Sequence, residues 1–181
     1  MKMKKELKIA TITICTLSLV LVGYFNYADA AAYIKYDGVD GEAADKDHSG
    51  WIDVLSVSQS ISRSMDSGLS ARSSGAASFS DITVTKELDK SSPKLAEAVA
   101  MGKVFPKVEF HLTSTHGTYY KYELTNVMIT SYSMSGDADD RPTEEVSFNF
   151  AEIKTTYTEY DNDGKSKGNV EYSWKIEEGT S

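Results

Sequence analysis

Alternation of apolar and polar residues recurs along this chain and constrains its fold more than any other feature. In residues 169–176 the alternation is unbroken, and one face carries Val170, Tyr172, Trp174 and Ile176. A period of two is the signature of a β-strand that buries one face and leaves the other in water. The same period recurs over residues 107–112, where the apolar face carries Val108, Phe110 and Leu112.

A longer alternating run covers residues 120–132 and has one irregular feature. Its predicted inward face carries Tyr120, Tyr122, Leu124, Met128 and Tyr132. Val127 and Ile129 fall on the opposite face, which predicts that the middle of this strand is covered on both sides. Short strands are predicted at residues 33–36, 52–61 and 82–84.

The apolar period changes once near the C-terminal end. The inward set is Val146, Phe148 and Phe150, and beyond Ala151 it becomes Ile153 and Tyr157. Such a change of parity indicates a β-bulge or a strand that crosses between sheets.

One helix is predicted, over about residues 91–102. Ser91 offers an N-cap hydroxyl, Pro93 suits the first turn, and Gly102 suits the C-terminal end. About seven strands with one short helix predict a mainly β domain, an antiparallel β-barrel or β-sandwich with a short flanking α-helix.

The first thirty residues differ in kind from the rest. Four lysines precede Ile9–Phe25, which is seventeen residues without a charge, and Ala28-Asp29-Ala30 follows. This order is typical of a secretory signal peptide, with cleavage expected after Ala30 and with Ala31 and Ala32 as alternative positions. The alternative is an uncleaved anchor, because seventeen residues lie at the lower limit for a spanning helix. We therefore expect a signal peptide at 1–30, a domain at 31–181, and a secreted or extracytoplasmic location without a membrane contact after cleavage.

Charge and cysteine content exclude several classes of function. The chain has 19 Lys and Arg against 27 Asp and Glu, and without residues 1–30 the numbers become 15 against 25, a net charge of −10. An acidic domain of this kind is a poor match for nucleic acid. The single cysteine, Cys15, lies within the predicted signal peptide, so no intramolecular disulfide is expected.

Residues 56–80 contain eleven serines in twenty-five positions. Such a segment has too little apolar content to pack by itself, and a flexible loop is the simplest interpretation. A second interpretation is an arm that becomes ordered against a partner. Its candidate interface residues are Arg63, Met65, Leu69 and Arg72.

No motif predicts catalysis, a cofactor or a metal site. Asp45–Asp53 resembles part of a calcium loop, but its twelfth position is Ser56 and a predicted strand follows instead of a helix. A polar turn that leads into a strand is therefore favoured. His48, His111 and His116 lack ligand spacing, and His111 is predicted to be solvated on the polar face of its strand. Glu144 and Glu145 are likewise predicted to be solvated, and we expect no enzyme.

Five stretches, taken in order, resemble the Hcp family, the haemolysin-coregulated tube proteins of type VI secretion. They begin with residues 33–42 and Ile52-Asp53-Val54-Leu55. They continue with residues 84–95 and the closing Gly102-Lys103. The last are Asp140-Arg141-Pro142-Thr143-Glu144-Glu145 with the six residues after it, and Val170-Glu171-Tyr172-Ser173-Trp174.

The resemblance implies an Hcp-like β-barrel that assembles with itself as a ring of six around a channel. Rings of the family stack into tubes, and some shelter small effector proteins. The serine-rich segment corresponds to an extended loop that the family uses in subunit and ring contacts, which favours the arm. Family tube proteins as a rule lack a cleavable signal, so the leader is a departure from the pattern.

Two other functions are open from the residues alone. One is a secreted monomeric β-domain that binds glycan or protein through Tyr119, Tyr120, Tyr157 and Tyr160. The other is calcium-dependent adhesion through Asp45–Asp53.

Overall fold

The computed structural model describes residues 30–66, 73–137 and 139–176. The strands in these ranges are β1 (Ala31–Tyr36), β2 (Ile52–Val54), β3 (Ser56–Ser58), β4 (Ile61–Asp66), β5 (Ser73–Phe79), β6 (Ile82–Glu87), β7 (Val104–Ser114), β8 (Gly117–Ser135), β9 (Thr143–Asn149), β10 (Glu152–Tyr160) and β11 (Ser166–Lys175). One helix, α1 (Ser92–Met101), lies between β6 and β7.

Seven strands of the main sheet form a closed antiparallel barrel, in which β2 and β3 together act as one strand. Its strand order is β2-β1-β7-β8-β9-β6-β3. Only Leu55 separates β2 from β3, and its N–H donates to the carbonyl of Thr85 at 2.8 Å. One nearly continuous strand therefore pairs with β1 at its start and with β6 at its end, which closes the sheet on itself. The predicted antiparallel barrel is confirmed, although the predicted strand at 52–61 is three shorter segments.

The long strand β8 pairs along one edge with both β9 and β10. Met128 lies opposite Asn149, and Thr125 lies opposite Glu152, so β10 continues the line of β9 after a break at residues 150–151. On the edge away from β8, β9 pairs with β6, whereas β10 pairs with β11. The predicted change of parity is therefore a crossing between two parts of the sheet.

The prediction for the middle of β8 is wrong. Val127 and Ile129 are 0 % and 3 % exposed, whereas Met128, predicted to point inward, is 43 % exposed. The cause is Asn126, whose positive φ of 51° inverts the alternation next to the break between β9 and β10. One face of β8 is buried here, not two.

The helix packs against the barrel through a short row of apolar side chains. Leu95 and Ala98 are buried, and Gly102 ends the helix with a φ of 61° as predicted. Ser91 occupies the N-cap position but makes no capping hydrogen bond with its side chain. Its hydroxyl donates to Asp89 Oδ1 instead. Within the described ranges, no helix has the length and apolar content needed to cross a membrane.

The core lies inside the barrel and receives one side of each main strand. Strands β1, β7, β8, β9 and β10 contribute most of its large apolar side chains. Core residues that are at most 1 % exposed include Ile34, Tyr36, Phe105, Phe110, Leu124, Phe148 and Ile153.

Candidate functional site

The turn that resembles a calcium loop uses its first carboxylate internally. Asp45 Oδ1 accepts the N–H groups of Asp47 and His48 at 3.0 Å, and the His48 ring nitrogen Nδ1 lies 2.7 Å away. The hydrogen bond with His48 holds the pKa of Asp45 below its usual value. The described residues contain no group of three or more His, Cys, Asp or Glu side chains suited to a metal ion. The turn leads directly into β2.

The buried His48 pairs with the half-buried His111, so the prediction that His111 is solvated is wrong. His48 Nε2 lies 2.8 Å from His111 Nδ1, and the two residues are 63 positions apart in sequence. Tyr33 stacks on His48 at 4.4 Å, and Trp51 packs on His111 at 4.6 Å between ring centroids. Burial lowers the pKa of His111 from 6.5 to about 4, and the nearby charge of Lys121 adds to this effect. The pair links the loop before β2, which carries His48, to His111 on β7.

A second buried polar cluster joins β6 to β9. Lys86 is 1 % exposed, and its Nζ lies 2.7 Å from Glu144 Oε2 and 2.8 Å from Asp89 Oδ1. Glu144 is itself 1 % exposed and accepts a hydrogen bond from the Tyr132 hydroxyl. The prediction that Glu144 is solvated is therefore wrong, although Glu145 is exposed. Every charge in this cluster is paired, which makes it a structural element rather than a reactive one.

The serine-rich segment contains a two-stranded antiparallel sheet that we call the arm, β4 with β5. The expectation of a floppy loop is wrong for its described residues, because Ile61 lies opposite Phe79 and Met65 lies opposite Ser74. In the described part of the chain, β4 and β5 pair only with each other. Of the four predicted interface residues, Arg63 and Met65 lie on β4, whereas Leu69 and Arg72 lie outside the described residues.

The arm is fixed at its base and exposed further along. Phe79 packs against the core and stacks near Trp174, with ring centroids 6.2 Å apart. In contrast, Ile61 and Met65 are 52 % and 65 % exposed. The outer edges of two strands and two large apolar side chains are therefore presented to solvent together.

A second apolar surface, which we call the open corner, lies where β8, β10 and β11 extend beyond the barrel. Its most exposed members, Tyr157, Val170 and Tyr172, are 45 %, 73 % and 41 % exposed. The apolar face of β11 was predicted to be buried along its whole length. Only Trp174, and Ile176 just after the strand, pack against the core, because none of the described residues covers the other end of the strand.

The four predicted glycan-binding tyrosines do not form one surface. Tyr120 and Tyr157 are cross-strand neighbours on the open corner. Tyr119 points to the opposite face from Tyr120 because side chains alternate along a strand. The Tyr160 hydroxyl donates to the carbonyl of Thr118 at 3.0 Å. Alternation along the predicted strand already separates Tyr119 from Tyr120, whereas the hydrogen bond of Tyr160 was not predicted.

The predicted cleavage site lies at the start of the barrel. Ala30 is exposed and has no regular secondary structure, and Ala31 is the first residue of β1. Ala31 lies opposite Thr113, whose hydroxyl donates to the Ala31 carbonyl at 3.2 Å.

Comparison with known proteins agrees with the fold. A family profile described as "Type VI secretion system effector, Hcp" matches residues 33–157. Protein hcp1 of Pseudomonas aeruginosa is 36 % identical over 151 residues, which cover 80 % of this chain and 93 % of that protein.

Solved structures extend the similarity to the whole domain. A type six secretion system protein superposes with a TM-score of 0.80 at 32 % identity, covering 84 % of this chain and 99 % of the other. Hcp1 from Salmonella typhimurium superposes with a TM-score of 0.70 at 25 % identity, covering 83 % and 97 %. Members of this family are structural tube proteins of type VI secretion and not enzymes. This chain belongs to the Hcp family.

Proposed function

We propose that residues 31–181 form a homohexameric ring whose copies stack into an exported tube. Membership of the Hcp family supports a structural tube role. The exposed arm is the main observation that supports an interface between subunits. An isolated two-stranded sheet is marginal in water, so the arm needs a surface to pack against.

The arm has the properties of an assembly element. The outer edges of β4 and β5 have unpaired backbone groups in the described residues, and such edges readily add to a strand of another chain. Ile61 and Met65 supply apolar contact beside these edges. Arg63 lies between them on β4 and adds a positive charge to a chain that is otherwise acidic. We infer that the arm packs against a neighbouring copy.

The ring would enclose a channel wide enough to shelter small effector proteins. The acidity of the domain, net −10 without residues 1–30, favours solubility after export. It also requires that lysine and arginine side chains face acidic ones across each subunit boundary, because like charges would otherwise repel the neighbours.

We also propose that residues 1–30 direct export and are removed after Ala30. Cleavage at this position leaves β1 complete, since β1 begins at Ala31. The product would be secreted or extracytoplasmic and free of the membrane. Mass spectrometry of the exported protein tests this proposal. An N-terminus at Ala31 is expected, and an exported form that retains Ile9–Phe25 would contradict it.

The ring is tested by light scattering on residues 31–181 at micromolar concentration. The expected mass is six times that of one chain, or a multiple of six if rings stack. A strictly monomeric species under these conditions would contradict the proposal. Electron micrographs of the same sample should show rings with a central channel.

A further inference from the structure

The strand β11 has one free edge and carries part of the open corner. Among the described residues it pairs only with β10, so the backbone N–H and C=O groups along its other edge have no strand beside them there. Its side chains Val170 and Tyr172 are 73 % and 41 % exposed. An edge of this kind readily accepts a further strand, and the uncovered apolar face beside it favours a strand with apolar side chains.

The open corner is an uncharged face on an acidic protein. Its residues are cross-strand partners in two rows, and cross-strand partners share one face of a sheet. The rows are Ala32, Leu112, Tyr120, Tyr157 and Val170, and beside them Ile34, Phe110, Tyr122, Thr155 and Tyr172. Neither row contains a charged residue, although residues 31–181 have a net charge of −10. Two acidic copies that meet at this face therefore repel each other less than they would elsewhere.

The corner also holds a buried hydroxyl group that lacks a hydrogen bond. Thr155 is 4 % exposed, and its Oγ1 has no hydrogen-bond partner in the described ranges. It lies on β10 between its cross-strand neighbours Tyr122 and Tyr172. A buried hydroxyl without a partner costs free energy. A segment that brings hydroxyl groups of its own therefore suits the corner better than a purely apolar one.

The arm has the properties that the corner requires. Its strands have free edges in the described part of the chain, and Ile61 and Met65 are exposed apolar side chains. Arg63 and Asp66 are its two charged residues and have opposite signs, so β4 and β5 together carry no net charge. Serine occupies two of the six positions of β4 and three of the seven positions of β5, which supplies hydroxyl groups.

We propose that the arm of one copy seats on the open corner of the next copy. One edge of the arm lies along the free edge of β11, and Ile61 and Met65 cover the apolar side chains around Val170 and Tyr172. Within one molecule this contact is not made, because Ile61 and Met65 remain 52 % and 65 % exposed.

The contact gives each copy one donor surface and one different acceptor surface. Every copy then donates its arm to one neighbour and receives the arm of the other, which is a heterologous contact. Such contacts close into a ring when the rotation between copies is a whole fraction of a turn. This inference rests on the proposed packing of the arm against a neighbouring copy and names the surface that receives it.

Crosslinking between copies tests the proposal. The full chain carries Cys15→Ser together with Met65→Cys and Val170→Cys, so each protein has one thiol on the arm and one on the corner whether or not residues 1–30 are removed. A short bismaleimide joins thiols that lie close together and tolerates a small offset in strand register. On denaturing electrophoresis, most of the protein is expected in a ladder of linked copies that ends at six.

Met134→Cys combined with Val170→Cys is the matched control. Met134 is 59 % exposed, which is similar to Met65, but it lies on β8 outside the arm. Its ladder should be several-fold weaker, and variants with only one of the thiols should give no species larger than a dimer. Ile61→Cys and Tyr172→Cys replace either position if a variant does not fold. Circular dichroism checks each fold, and light scattering measures the mass before crosslinking.

Three results would overturn the proposal. They are ladders of equal strength in the two double variants, no ladder in folded protein, or a peptide linking residues 65 and 170 that mass spectrometry finds only in the monomer band. The last result would mean that the arm folds over the corner of its own molecule. A hexameric mass without a ladder would contradict this contact and leave the ring standing, whereas a ladder in protein that is not hexameric would support the contact and contradict the ring.

Discussion

The barrel and the arm are both antiparallel strand pairings, but they differ in what covers them. In the barrel, every strand has neighbours on both edges when β2 and β3 are taken as one strand, and Ile34 and Leu124 are 0 % exposed. In the arm, β4 and β5 pair only with each other in the described ranges, and Met65 is 65 % exposed. The difference indicates that the barrel has its own core, and it supports the proposal that the arm packs against a neighbouring copy.

The largest loss of stability is expected from Glu144→Ala in the barrel. This change leaves the ammonium of Lys86, which is 1 % exposed, with only Asp89 as a charged partner in a buried site. Breaking a buried ion pair by removal of one partner costs about 3–5 kcal/mol. Urea unfolding measures the loss.

Glu145→Ala is the control for Glu144→Ala. The two residues are adjacent on β9, but Glu145 points to solvent. Its removal should change the free energy of unfolding by less than about 0.5 kcal/mol. Equal losses for the two variants would show that the buried cluster does not stabilise the barrel.

A smaller loss is expected from Leu124→Ala. Leu124 is 0 % exposed and lies between Val108 on β7 and Ile153 on β10. Its truncation should cost about 2–5 kcal/mol, because a cavity is added to the lost burial of the side chain. Met128→Ala on the same strand should cost much less, since Met128 is 43 % exposed. Thermal unfolding of both variants tests whether the alternation changes at Asn126.

The histidine pair predicts that the barrel weakens in mild acid. Burial lowers the pKa of His111 from 6.5 to about 4, so the unfolded chain binds a proton at this residue more readily. The stabilisation is complete above pH 6.5 and is lost as the pH falls from 6.5 towards 4. A pair joined from His48 Nε2 to His111 Nδ1 also needs one unprotonated nitrogen between the rings.

The expected loss between pH 7.5 and pH 5 is about 1–2 kcal/mol after allowance for solvent screening. The charged groups that face His111 are Lys121, Glu109 and Glu123 in addition to His48. Urea unfolding at the two pH values measures the loss, and His111→Asn should remove most of it. An identical pH dependence in the variant would exclude His111 as the source.

The sequence predicted the strands well because the period of two depends only on which residues face the core. It placed β7, β9 and the helix correctly from Phe110, Val146 and Gly102. It could not show where a covering layer ends, so Tyr172 was expected to be as buried as Trp174. Both are apolar residues on one face of one strand, and only the tertiary structure separates them.

Polar clusters were missed for a different reason. Lys86 and Glu144 are 58 positions apart, and His48 and His111 are 63 apart. Each residue alone has the pattern of a solvated side chain. Only the pairing of β6 with β9, and of β1 with β7, brings the partners together. The arm was only partly predicted, since its composition indicated weak packing but not the pairing of β4 with β5.

The most direct measurement compares the mass of residues 31–181 with that of a Met65→Lys variant. Light scattering should give a hexamer for the unchanged domain and a monomer for the variant. Far-UV circular dichroism should show the same strand content in both proteins, because Met65 is 65 % exposed and is not part of the core. Met134→Lys is the control, since Met134 is a comparably exposed methionine outside the arm, and it should remain hexameric. A hexameric Met65→Lys variant, or a monomeric unchanged domain, would contradict the assignment of the arm as the assembly element.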